Sequence, residues 1–226
     1  MKAVSATGTH WNLRLFDELV APGMSAFTSA EIPEIASRHP EAEHWLANYT
    51  LNALLRGRFR RPTDQYALNA LRRISTAYEE YAIASRRTDE YLALRSDTNP
   101  AVRVYLSALQ HWENVLAAAG QALSTFHLWT GQRPHERDDG TAEQRVNALH
   151  NASKHAEGLI RGGQMPKSGP LAVWLTNDGL RSKGQRLSWK ELAELLDELG
   201  SLADLVQDPR GVTNPSVNSG PDETGS

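Results

Sequence analysis

TDQYALNALRRISTAYEEYAIASRRTDEYLALRSDTNPAVRVYLSALQHWENVLAAAGQALSTFHLWT, residues 63–130, carries two apolar seams separated by one short break. In the first, Ala67, Leu71, Ile74, Tyr78 and Tyr81 alternate spacings of four and three, and Leu92 continues the stripe after a polar interval. That alternation marks a helix packed in a bundle. Capped by Thr63 and running to about Arg95, such a helix spans roughly 50 Å. The second seam passes through Val102, Leu106, Leu109, Trp112, Leu116, Leu123 and Phe126 and stops at Gly131. Asn99 reads as its N-cap and Pro100 as its first helical residue. Two long helices joined by so few residues predict an antiparallel hairpin.

Shorter elements flank this hairpin. Residues 1–40 read as irregular, with short helical pieces at Trp11–Val20 and around Glu31–Ser37. Glu41–Leu55 predicts a helix with Glu41 and Glu43 in its first turn, where they complement the helix dipole. It runs into the basic turn Arg56-Gly57-Arg58-Phe59-Arg60-Arg61-Pro62. Beyond the polar stretch Gly131–Gly140, Thr141 and Gln144 form a capping box that opens a helix to Arg161, closed by Gly162-Gly163. Leu171–Thr176 is β-prone, Asn177-Asp178-Gly179 is a turn, and Gln185–Leu187 is a return strand. Ser188 and Glu191 form a second capping box, ahead of an amphipathic helix through Leu192, Leu195, Leu196, Leu199, Leu202 and Leu205. From residue 207 onward Pro, Gly, Ser, Asn and Asp dominate, and a disordered tail over 207–226 is expected. The fold class is therefore mainly α: an antiparallel helical bundle over 41–206, with a small β-hairpin at about 171–187 and a C-terminal amphipathic helix.

Composition narrows the chemistry. The chain has 226 residues, a net charge of −3 and no cysteine. A disulfide scaffold, a thiolate zinc site, an iron–sulfur cluster and a cysteine nucleophile are excluded. The charge balance argues against bulk coating of DNA. Nineteen Arg stand against five Lys, most simply a nucleotide-composition bias of the source genome. Residues 1–10 hold one Lys and no apolar core of a leader, and no run of 18 apolar residues occurs. A cytoplasmic protein without a membrane partner is expected.

The helix from Arg145 to Ile160 is the most informative for function. At 100° per residue, Asn147, His150, Asn151, Lys154 and His155 share one face, opposite Leu149, Ala152, Ala156, Leu159 and Ile160. The polar face holds two imidazoles, two amides and an ammonium, but no carboxylate. Such groups donate to anions, and His150 can exchange a proton near neutral pH. The plainest account of such a face is a solvated helix surface. The basic hairpin loop Arg181–Arg186 is a candidate to sit against this face and close a site.

Arg145-x4-His150, following a long helical hairpin, resembles the Arg-x(4–6)-His motif of the HEPN superfamily (higher eukaryotes and prokaryotes nucleotide-binding). The resemblance spans roughly residues 63–161 in layout and about ten residues in motif. It implies an RNA-binding or metal-independent RNA-cleaving module of a bacterial defence or toxin type, with two sites meeting across a homodimer cleft. Arg145 would hold the scissile phosphate, and His150 would serve proton transfer at the ribose 2′-oxygen or the leaving group. The alternative is a non-catalytic helical protein that binds a protein partner or a small anionic ligand through Asn147, His150, Asn151, Lys154 and His155. A domain with no site at all is the third reading.

Other features rank below these. The Arg56–Arg61 knot around Phe59 suits a nucleic-acid backbone, or simply a solvated turn. His10-Trp11, His44-Trp45 and His111-Trp112 recur on different elements, each Trp best read as core. Glu113 is a candidate buried acid. No HExxH, P-loop, dinucleotide fingerprint or GxSxG is present, and neither a metal nor a cofactor is expected.

Overall fold

The two seams meet, although Leu106 of the second is exposed and Tyr105 is buried in its place. In the computed structural model, which describes residues 12–208 apart from 57, 58, 97, 134, 137 and 138, α3 (Thr63–Leu94) and α4 (Val102–Thr130) form the long hairpin. Three helices precede or follow it on the bundle: α2 (Trp45–Leu55), α5 (Ala142–Lys154) and α7 (Trp189–Gln207). Two short helices, α1 (Arg14–Leu19) and α6 (Ala156–Arg161), and a sheet of β1 (Val173–Thr176), β2 (Gly179–Ser182) and β3 (Gln185–Ser188) complete the fold. Ala67, Leu71, Ile74, Tyr78 and Tyr81 of α3 are buried, as are Leu109, Trp112 and Leu116 of α4. Trp112 sits at the centre, edge-on to Tyr81 and 4.7 Å from the Trp189 ring, with its Nε1–H donating to Thr88. No helix among the described residues is long and apolar enough to cross a membrane.

Several boundaries differ from expectation, each for a local reason. α4 begins at Val102 rather than Pro100. The Asn99 side chain accepts from the Ala101 N–H at 3.0 Å, and Ala101 takes a left-handed conformation (φ 48°), so a turn occupies the expected cap. Glu41 and Glu43 lie ahead of α2 in tight turns, because the Ala42 and His44 N–H groups bond back to His39 and Glu41. Thr63 does not cap α3; the neighbouring Asp64 closes that corner, its carboxylate accepting from the Arg60 N–H and the Tyr49 hydroxyl. The single helix expected to Arg161 breaks at His155 (φ −110°, ψ 25°), which ends α5 and starts α6. Thr141 accepts from the Gln144 N–H, and Ser188 and Glu191 make a complete reciprocal box.

The expected hairpin is a three-stranded antiparallel meander in the order β1-β2-β3. Asn177-Asp178 and Lys183-Gly184 are two-residue turns, so most of the expected basic loop is strand. Gly179 (φ 152°) is required, since a Cβ there would strike the Leu187 carbonyl. Leu175, Leu180 and Leu187 align across the sheet on its buried face. The free edge of β1 is covered: the Leu175 N–H donates to the buried Tyr105 hydroxyl of α4 at 3.0 Å.

The irregular segment before α2 belongs to the core. Ala21, Met24, Phe27 and Ile35 are buried, and Phe27 stacks on Tyr91 at 5.5 Å. Leu15 and Leu19 of α1, by contrast, are exposed, and Trp11 lies outside the described residues. So do most of the residues expected as a tail, 209–226.

Candidate functional site

α5 is held from two sides. Val146 and Leu149 are fully buried in the bundle. Ser153 donates to Glu113 of α4 at 2.7 Å, a contact the sequence did not single out. Glu113, expected as a buried acid, is half-buried, and burial raises its carboxyl, only partly offset by Ser153. On the other flank the Arg145 guanidinium reaches Glu191, the capping-box acid of α7, at 2.7 Å and also donates to the Gly140 carbonyl. Burial by itself raises Glu191, but the Ser188 N–H and hydroxyl, with Arg145, outweigh it and hold the carboxyl below its usual range. Arg145 is therefore committed to a partly buried ion pair at the base of α7.

His150 lies five residues on, about 140° around the helix from Arg145. It is half-buried, and no protein group hydrogen-bonds its ring among the described residues. Burial, with the positive charges of Lys154 and His155 beside it, holds its pKa below the ordinary histidine range. The fold thus leaves Arg145 and His150 on different flanks of α5. Asn147 and Asn151 bond each other at 3.3 Å, and Lys154 is exposed.

Asn151 and His155 instead line a cleft of about 550 Å³ between the α5–α6 elbow and the β2–β3 turn. Gln164, Ser182, Lys183 and Gln185 supply its other polar groups, and Ala148, Ala152, Leu159, Pro166 and Ala172 its apolar wall. The turn does sit against the helix face. It does so through Ser182, Lys183 and Gln185, whereas Arg186 pairs with Asp178 at 3.0 Å on the far side of the sheet. Among the described residues, no carboxylate lines the cleft. Ser182 is 8% exposed, yet its hydroxyl has no protein partner; the His155, Gln164, Lys183 and Gln185 side chains also lack one among the described residues. His155, Gln164 and Lys183 are exposed, so five polar side chains surround one concavity with donors and acceptors that no other protein group occupies. Gln164 carried no signal in the sequence, because only the packing of the 162–172 connection brings it to α5, whereas Ser182 belonged to the loop expected against this face.

The remaining sequence candidates resolve into structural contacts. His111 bonds Glu80 at 2.7 Å and Glu113 bonds Ser153, so they share no centre with His44, and among the described residues no group of three or more His, Asp or Glu is arranged to hold a metal ion. Arg56 and Arg60 both turn to Asp64, leaving Phe59 half-exposed. Arg87 pairs with Glu90 as the outer face of α3. Comparison with protein-family profiles, curated proteins and solved structures finds no match to this chain.

Proposed function

We propose that this chain is a non-catalytic helical protein that binds a small anionic ligand in the cleft between α5–α6 and the β2–β3 turn. The carrying observation is the lining: among the described residues it holds one lysine, one histidine, three amides and an unpartnered hydroxyl, with no carboxylate. Lys183 supplies the counter-charge, Ser182 and His155 donate to the anion's oxygens, and the amides of Asn151, Gln164 and Gln185 orient what is attached to it. Lys154, expected on the same face, stands outside the cleft and is not part of this site.

A second reading keeps the HEPN-like RNA-cleaving activity, and His150 favours it: a half-buried imidazole biased toward its neutral form and free to accept a proton. Against it stands the Arg145–Glu191 pair, which ties up the cation that would hold the phosphate. One set of measurements separates the two. Acetate, hexanoate and inorganic phosphate are titrated into the isotope-labelled protein, and mixed RNA is incubated with wild type and His150→Ala without metal. Saturable shifts at Asn151, His155 and residues 182–185, lost at least about tenfold in Lys183→Glu, support the binding reading. No saturable shift with any of the three overturns it, and cleavage abolished by His150→Ala installs the second in its place.

A further inference from the structure

We infer that the ligand of this cleft is an organic monoanion with a short apolar body, an alkyl or aryl carboxylate, rather than a free inorganic anion. The inference rests on the anion-binding reading above and names its ligand class. Charge comes first. Among the described residues, Lys183 is the only Lys or Arg in the lining, so the site matches one negative charge, where a phosphate dianion would seek a second cation or an Arg fork. The placement of the polar groups comes second. Ser182, the last residue of β2, and Lys183, in the turn that follows, both line the cleft, which gives one headgroup a hydroxyl and an ammonium. Ser182 is more than nine-tenths buried, and its hydroxyl, without a protein partner but within reach of solvent, is available to a headgroup oxygen.

The wall comes third. Ala148 and Ala152 on α5, Leu159 on α6 and Pro166 beyond it offer carbon rather than donors. Ala148 and Ala152 are one helical turn apart, and their small side chains leave a shallow trough along the helix where larger residues would fill the cleft. A hydrated inorganic ion gains nothing from that surface, whereas a hydrocarbon chain lying on it is removed from water. The volume of about 550 Å³ lies within the ~300–1,000 Å³ typical of small-molecule sites.

Calorimetric or NMR titration of the intact chain with acetate, butanoate, hexanoate, octanoate and inorganic phosphate at fixed ionic strength tests this. Affinity should rise about two- to fourfold per added methylene from butanoate to octanoate. Leu159→Asn, which leaves Lys183 in place, should weaken octanoate at least about fivefold and leave acetate unchanged. Lys183→Glu should weaken every carboxylate, and octanol should bind no better than that variant binds octanoate. Phosphate and acetate saturating the cleft as tightly as octanoate would overturn the inference while the anion-binding reading stands. Failure of every anion to saturate would overturn both.

Discussion

At the residue scale, the chain uses single side chains as clasps between distant segments. His39, almost fully buried, sits with Nδ1 2.7 Å from Asp204 and Nε2 3.2 Å from Asp197, while the Trp45 Nε1–H donates to Asp204 at 2.6 Å. Gly200 lies between the two acids on α7, and a Cβ there would meet the Tyr78 hydroxyl and come within 2.7 Å of His39 Nε2. The helical glycine is thus kept for space, at a propensity cost of up to about 1 kcal/mol. Gly200→Ala should destabilise the protein by about 1–3 kcal/mol despite that better propensity, read as a lower urea midpoint with unchanged slope. An unchanged or raised midpoint would mean that the clasp has slack. Neither His39 nor Gly200 drew notice in the sequence, since a lone histidine before a proline and a lone glycine in a leucine-rich helix carry no periodic signal.

At the element scale, Glu113 and Ser153 join α4 to α5. Burial raises the Glu113 carboxyl, so the folded chain holds that proton more tightly than the unfolded one does. Stability therefore falls as pH rises from the ordinary carboxylate range through the raised value, and the loss persists above it. Glu113→Gln keeps an acceptor for Ser153 and removes the charge. Its stability relative to wild type should increase from pH 4 to pH 7 in urea unfolding; a constant difference would show that the charge costs nothing at this interface. The sheet shows how much of an element can escape a local reading. β1 was legible as an apolar run, but β2 is Gly-Leu-Arg-Ser, whose Gly, Arg and Ser resemble loop, and only pairing with both neighbours makes it a strand.

At the scale of the whole molecule, the stretch before α2 is irregular and yet structural. Phe27 is fully buried against Tyr91 and Tyr105, Arg95 donates to the Ser25 carbonyl, and the Tyr81 hydroxyl donates to Pro33. Phe27→Ala should cost about 3–5 kcal/mol, with circular dichroism and tryptophan fluorescence still falling in one coincident transition. Two separated transitions would show that this segment unfolds independently of the bundle.

The chain's own order of residues determined the two long helices, their antiparallel pairing, the N-cap at Thr141, the capping box at Ser188, and a polar face on α5 free of carboxylates. Each depends on spacings within one or two helical turns, where backbone geometry converts sequence separation directly into direction. Tertiary structure alone decided what α5 meets. Arg145 meets Glu191 forty-six residues away, and Asn151 and His155 meet Ser182 and Lys183 across a cleft, because close packing of α5 against α7 and the sheet selects partners that no local period encodes.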